Sequence, residues 1–231
     1  MIPKDKFIPT FAPLVQKYGP RYGVLCNSAV IGQAILESGW GTTQKAQFNN
    51  FFGLKYRPDR CPSAYGTFWS KSDEQNPDGS YRPVFDQWFA FTDPEMGVRG
   101  YYEYVSDSRY DNSKGIKDPE EYLTLIRKDG YATSLKYVEK VMKVVEDNKL
   151  RQYDQDPGPQ PSLYKVQCGA FTVEANAKAL EVALQSVGFQ TCIVKGTKYF
   201  KVQCGAYKVF INAVRQQRRL LNNGFEAIIV D

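Results

Sequence analysis

Residues 34–41, Ala-Ile-Leu-Glu-Ser-Gly-Trp-Gly (AILESGWG), place a single carboxylate, Glu37, at the end of an otherwise apolar run and follow it with two glycines and a tryptophan. Upstream, Ala29, Val30, Ile31, Ala34, Ile35 and Leu36 leave little polar face, which predicts a core helix. Gly39 and Gly41 end it, and Trp40 is expected to wall the carboxylate. Helical spacing sets Glu37 one turn beyond Gln33. An unpartnered charge there costs several kcal/mol or shifts its pKa. Two readings follow from the residues alone. A desolvated carboxyl stays protonated near neutral pH, as a general acid for glycosidic cleavage requires. A helix-terminal Glu paired with a nearby Lys or Arg would be purely structural.

The 231-residue chain is 42% hydrophobic and 24% charged, the composition of an ordinary globular protein. No segment approaches the roughly 20 apolar residues that would span a bilayer, so no membrane insertion is expected. The absence of histidine excludes Ser-His-Asp and Cys-His catalysis and a histidine base. The five cysteines, Cys26, Cys61, Cys168, Cys192 and Cys204, lack the paired spacings of a zinc site and read as small buried hydrophobes. Neither a metal nor a cofactor is implied. The start, MIPKDKFIPTFAPLVQKYG, has no basic-then-apolar pattern and no small-residue cleavage site, so no signal peptide is expected.

Charge is unevenly placed. Residues 162–231 hold nine Lys and Arg against four Asp and Glu, whereas residues 1–161 hold 21 of each. A basic binding module at the C-terminus is the simplest reading. The segment RQYDQDPGPQP, 151–161, reads as a semi-rigid linker. Beyond it YKVQCGAF, 164–171, recurs as FKVQCGAY, 200–207. Each copy leads into a helical segment ending at Gly188 or Gly224 and then a β-branched run. The order β-α-β twice predicts a small sheet with helices on one face, a ferredoxin-like or RNA-recognition-like βαββαβ domain.

Residues 1–150 read as mainly helical, with helices over 22–38, 94–106, 119–128 and 135–150. A polar, aromatic-rich stretch at 57–81 is a loop or hairpin lobe, giving an α+β domain. Tyr56, Tyr65, Phe68, Trp69, Tyr81, Phe85 and Trp88 crowd around it. Aromatic faces suit the C–H faces of sugar rings, and equally suit a core.

Glu37-Ser38-Gly39-Trp40-Gly41, Asn49-Asn50-Phe51-Phe52-Gly53-Leu54-Lys55, and Gly130-Tyr131-Ala132-Thr133 with Tyr137, Lys140 and Val141 occur in that order. Together they closely resemble the glucosaminidase domain of bacterial and phage cell-wall hydrolases, glycoside hydrolase family 73. The resemblance covers about residues 20–150 and implies a lysozyme-like fold. It also implies cleavage of the β-1,4 bond between N-acetylglucosamine and N-acetylmuramic acid in peptidoglycan. Glu37 falls on the catalytic acid and Tyr131 on an active-site tyrosine. Asn50 and Phe51 fall on the motif that shapes the cleft floor; with Trp69 and Tyr137 they are expected to bind substrate. The family carries its second carboxylate on a β-lobe, where this chain has FWSKSDEQNPDGSYRPVF. Glu74 is the candidate and Asp73 the alternative, because the family's Thr-x-Glu-Tyr pattern is not reproduced. Ser134 stands where many members have Asp.

The repeated Tyr/Phe-Lys-Val-Gln-Cys-Gly-Ala-Phe/Tyr resembles the start of the SPOR domain, which binds peptidoglycan glycan strands. In an alternating strand Val166 and Cys168 face the helices while Lys165 and Gln167 face the open side, as do Lys201 and Gln203 against Val202 and Cys204. Gln167 and Gln203 are the expected glycan contacts; Ala170 and Ala206 replace a frequent Ser. An RNA-recognition domain would present exposed aromatics on these central strands, so no nucleic acid partner is expected. A purely structural or dimerising sheet is the other alternative. The layout resembles a phage endolysin, made in the host cytoplasm and reaching the wall through a holin, with a cellular autolysin as alternative. A muramidase or lytic transglycosylase is the alternative chemistry.

Overall fold

The computed structural model describes residues 2–76, 78–154 and 162–230, with the side chains of 74, 75 and 81 left aside. It divides into two compact units, Met1–Gly158 and Pro159–Asp231. The expected linker at 151–161 falls outside the described residues from 155 onward. Among the described residues no helix is long and apolar enough to cross a membrane.

The first unit is built around helix α2 (Asn27–Ser38), ten of whose twelve residues are buried. It is packed by α1 (Lys4–Tyr18), α4 (Pro119–Lys128), α5 (Tyr137–Asp147) and a 3-10 turn, Leu150–Tyr153. Gly32 permits the close approach of α5: a Cβ there would lie 3.0 Å from Val145 and 3.1 Å from Val141. At its N-terminus Ser28 N and Oγ donate to the two carboxylate oxygens of Asp154, at 2.7 and 2.5 Å. A carboxylate so placed satisfies an orphan donor and meets the positive end of the helix dipole. At the other end Gly39 takes φ 54° and donates to Ile35 O, a left-handed cap.

The helix expected over 22–38 begins only at Asn27, because the 3-10 turn Pro20–Tyr22 closes on Gly23 at φ 75°. α3 (Pro94–Tyr104) and α4 start where expected, each with an Asp N-cap before a proline. Asp93 accepts from Met96 N and Asp118 from Glu121 N. α5 starts at Tyr137, two residues late. Helix α1 was not foreseen: Pro9 and Pro13 lie inside it, and prolines ordinarily break helices. It persists because Phe7, Phe11, Val15 and Tyr18 bury one continuous face.

The lobe is an antiparallel hairpin of β1 (Gly66–Gln75) and β2 (Tyr81–Ala90), later in the chain than the stretch expected for it. Alternation gives it two rows. Phe68, Ser70 and Ser72 stand opposite Trp88, Asp86 and Val84; Thr67, Trp69 and Lys71 stand opposite Phe89, Gln87 and Phe85. The first row turns inward, with Phe68 stacked on Phe48 at 4.0 Å and Ser70 bonded to Gln44 at 2.9 Å.

The second unit is β3 (Tyr164–Phe171), α6 (Glu174–Ser186), β4 (Cys192–Lys195), β5 (Phe200–Tyr207), α7 (Phe210–Asn222) and β6 (Ile228–Val230). The sheet order is β4-β5-β3-β6 with every neighbouring pair antiparallel, the βαββαβ arrangement expected from the repeat. Val166 and Val202 are fully buried, and Gln167 and Gln203 are direct register partners at the centre of the sheet. The register shifts on both sides of that pair, so the ladder is bulged there.

Two glycines of α3 admit close neighbours, one of them in the 49–53 segment. A Cβ at Gly97 would overlap the Asn49 carbonyl oxygen, and one at Gly100 would overlap the Phe91 ring. Gly97→Ala should therefore destabilise the first unit by about 1–3 kcal/mol, the usual range for overpacking. Thermal unfolding measures it, and an unchanged midpoint would contradict this close approach.

Candidate active site

Glu37 is half-buried as a residue, and its carboxyl is enclosed enough for burial to dominate its titration. Its floor is Gly53, where a Cβ would come within 3.3 Å of Glu37 Oε2 and 4.0 Å of Trp88. Gly53 takes φ +60°, a conformation in which a side chain is disfavoured. Any larger residue would be strained and would crowd the carboxylate.

The indole that shares this floor belongs to Trp88. The expected wall residue, Trp40, packs edge-on against Phe7 of α1 at 5.8 Å with the Lys4 ammonium over its ring. Trp88 is buried in the inner row of the hairpin; its indole N–H donates to Ser70 O at 3.3 Å. Lys45 Nζ lies 3.5 Å from the Trp88 ring centroid, a cation–π contact, and its charge acts on Glu37. Lys55 also approaches Trp88 and pairs with Asp86 at 2.6 Å.

Burial is the largest influence on Glu37 and pushes its pKa up to about 7; the Lys45 charge and a hydrogen bond from Tyr137 act in the opposite sense. Lys45 is held below its ordinary value by burial, with Glu37 pulling it back up. Near neutrality the site thus holds a carboxyl that carries a proton and can part with it, which is the general acid's requirement.

The expected site residues separate into groups. Tyr131 comes close enough to feel the Glu37 charge, and its hydroxyl donates to Phe52 O at 3.0 Å. Tyr137 is also brought to Glu37, but it is buried; it serves the carboxyl and is not open to a substrate. Asn50 is fully employed inside the protein. Its Nδ2 donates to Leu54 O and Phe89 O, and its Oδ1 accepts from Leu54 N, so it clamps the turn above the floor. Phe51 is buried edge-on against Phe7 and Phe11. Both residues are buried, with their contacts taken up inside the protein.

Trp69 stands in the outer row of the hairpin, the row opposite to that of Trp88, stacked on Phe85 at 5.4 Å. The two are 56% and 61% exposed. Trp69 is an accessible aromatic, but not on the side of the hairpin that faces Glu37. By backbone register Glu74, partner of Arg82, belongs to the alternate row of Phe68, Ser70 and Ser72, whereas Asp73 belongs to that of Trp69. The Glu74 side chain lies outside the described residues.

Sequence reasoning missed Lys45, and it missed the buried partners behind Glu37: Gln33, Tyr101 and Tyr122. Gln33 carried a signal, being an amide one turn before Glu37 in an apolar helix. The others come from distant elements and carried none. In the second unit, Gln167 and Gln203 lie side by side, flanked in register by the exposed Ile228 and Cys192.

A family profile described as mannosyl-glycoprotein endo-beta-N-acetylglucosaminidase matches residues 12–150, and a SPOR domain profile matches residues 160–231. Peptidoglycan hydrolase FlgJ of Pseudomonas aeruginosa is 27% identical over 169 residues, covering 68% of this chain and 40% of the relative. Exo-glucosaminidase LytG of Bacillus subtilis is 28% identical over 187 residues, covering 78% and 61%. The chain thus spans less than two thirds of the length of either. Among solved structures, a peptidoglycan hydrolase mutant from Sphingomonas sp. A1 matches with a TM-score of 0.55 at 24% identity, over 64% of this chain and 96% of that one. The catalytic domain of the autolysin Auto from Listeria monocytogenes gives 0.52 at 20%, over 65% and 86%. These two establish the fold of the first unit.

Because the folded chain raises the Glu37 pKa from 4.5 to about 7, it holds that proton more tightly than the unfolded chain. The resulting stabilisation is complete below about pH 4.5 and is lost as pH rises through about 7. Unfolding measured at pH 5 and pH 8 should show this loss, and Glu37→Gln should remove that part of the slope. A carboxyl titration by 13C NMR with a midpoint near 4.5 would contradict the assignment.

Proposed function

The chain belongs to the glucosaminidase family through residues 12–150 and ends in a SPOR domain, and from that premise we propose that it is a peptidoglycan hydrolase. It acts as an endo-β-N-acetylglucosaminidase on the β-1,4 bond between N-acetylglucosamine and N-acetylmuramic acid. The observation that carries this reading is the Glu37 carboxyl over a glycine floor, with its pKa raised by burial to about 7. Names of the relatives, a peptidoglycan hydrolase and an exo-glucosaminidase, support the polymer and the sugar.

In the reaction Glu37 gives its proton to the glycosidic oxygen as the C–O bond breaks and positive charge develops on the sugar ring. Departure of the proton leaves a carboxylate, which the Lys45 charge and the Tyr137 hydroxyl stabilise. Positive charge on the ring is met by a second carboxylate, for which Glu74 is our candidate from its row in β1, or by the substrate's own acetamido group. Tyr131, bonded to the Phe52 carbonyl beside the floor, borders the cleft. The SPOR domain holds glycan strands on its open face through Gln167 and Gln203, the central register pair.

Glu37→Gln should lower wall hydrolysis by at least about 100-fold, the usual scale for a general acid, with fold and wall binding retained; a fully active variant would end the proposal. Mass spectrometry of the products should find N-acetylglucosamine at the new reducing end. N-acetylmuramic acid there would indicate a muramidase and its anhydro form a transglycosylase, and either overturns the assigned bond. Residues 162–231 alone should sediment with purified sacculi, and Gln167→Ala with Gln203→Ala should weaken that binding. A folded module that stays in the supernatant would reject its role.

A further inference from the structure

Three buried side chains form a hydrogen-bonded chain that leads to Glu37. Tyr101 Oη donates to Gln33 Oε1 at 2.7 Å, Gln33 Nε2 donates to Tyr137 Oη at 2.8 Å, and Tyr137 is bonded to the Glu37 carboxyl. They come from α3, α2 and α5, so the chain is assembled only in the folded unit. Gln33 and Tyr101 are 0% exposed and Tyr137 is 4% exposed.

The direction of these bonds has chemical content. An amide oxygen only accepts and an amide nitrogen only donates. With Gln33 Oε1 turned to Tyr101, its nitrogen must donate to Tyr137, whose oxygen is thereby engaged. The Tyr137 proton is then free to point at Glu37, so the carboxyl's own proton must sit on the oxygen that Tyr137 does not hold. In the inverted amide, Tyr137 would donate to Gln33 Oε1, and Glu37 would have to spend its proton on Tyr137 or stand as a carboxylate with no donor behind it.

We propose that Gln33, oriented by Tyr101, is a positioning residue for the hydrolysis: it fixes Tyr137 as a donor, and so keeps the Glu37 proton on the oxygen that Tyr137 does not hold and supports the carboxylate once the proton has left. This deepens the function proposed above and rests on it for the reaction, though the hydrogen-bond polarity can be read without any substrate. Other groups that act on Glu37 are Lys45, in the 3-10 turn Lys45–Phe48, and Tyr131 from the α4–α5 loop. Tyr131 meets Tyr101 through an edge-on ring contact at 5.9 Å, but among the described residues no hydrogen bond joins Lys45 or Tyr131 to Gln33 or Tyr101, so neither sets the amide's orientation.

Tyr122 supplies the control. Its hydroxyl lies 2.7 Å from that of Tyr101 and is equally buried. Tyr101 spends its only proton on Gln33, so Tyr122 is the donor to Tyr101; with the Tyr122 hydroxyl deleted, Tyr101 still has Gln33 Oε1 as its acceptor and the amide keeps its orientation. Tyr101→Phe and Tyr122→Phe each delete one hydroxyl from the same interior, but only the first releases Gln33 to invert. For Tyr101→Phe we expect kcat to fall about tenfold with KM unchanged. The Glu37 midpoint, read both from the alkaline limb of kcat and from 13C carboxyl titration, should rise by about one pH unit as the carboxylate loses its donor. Tyr122→Phe should leave that midpoint in place. Both variants are checked for folding by circular dichroism and thermal melting.

A midpoint unmoved in a folded Tyr101→Phe, or an equal shift in both variants, overturns the proposal in favour of simple packing. If the wild-type chain cleaves no glycan at all, the functional proposal fails on its own, and the 13C titration still decides whether the chain sets the Glu37 proton.

Discussion

A helix enclosed on every side can carry polar groups only where other elements bring them partners, and α2 carries several. Ser28 is met by Asp154, Gln33 by two tyrosines from α3 and α5, Ser38 by the backbone of its own last turn, and Glu37 by Lys45 and Tyr137. A buried polar group left without such a partner would cost about 1–3 kcal/mol. The packing around α2 is thus constrained twice, by shape and by hydrogen bonding. Glu37 is the one ionisable group among these, and as a residue it is only half-buried. Its raised pKa follows from how the helix is enclosed and not from any special residue beside it.

The floor of the site has the same logic at a smaller scale. Asn50 closes the turn with its whole hydrogen-bonding capacity, Phe51 and Phe52 point back into the core, and Gly53 is left facing the carboxyl. What Glu37 meets is the empty space where a Cβ would have been.

Those particulars explain what could be read in advance. Glu37 stood out because a lone carboxylate in an apolar run contradicts its surroundings, and the βαββαβ unit because the chain states its pattern twice. α3 and α4 announced themselves through Asp-Pro caps. α1 was hidden by prolines that a well-buried face tolerates. Which indole stands beside Glu37 depends on strand parity, and a one-residue change of register exchanges Trp88's row for that of Trp69. Lys45 and Tyr101 reach the site through tertiary packing, for which no local pattern exists. Gln33 was visible as a polar residue at the right turn; its partners were not.

The clamp between Asp154 and Ser28 has a mechanical side. Whatever pulls on the chain beyond Asp154 pulls on a residue joined by two short bonds to the first turn of α2, while the preceding carbonyl, Tyr153 O, accepts from Asn27 at 2.9 Å and from Gln16 at 3.4 Å. A load arriving there enters the most enclosed helix of the unit and is shared with α1, instead of peeling α5 from its end. Under the function proposed above, with the second unit holding an insoluble polymer, that root decides whether tension loosens the first unit or is simply carried by it.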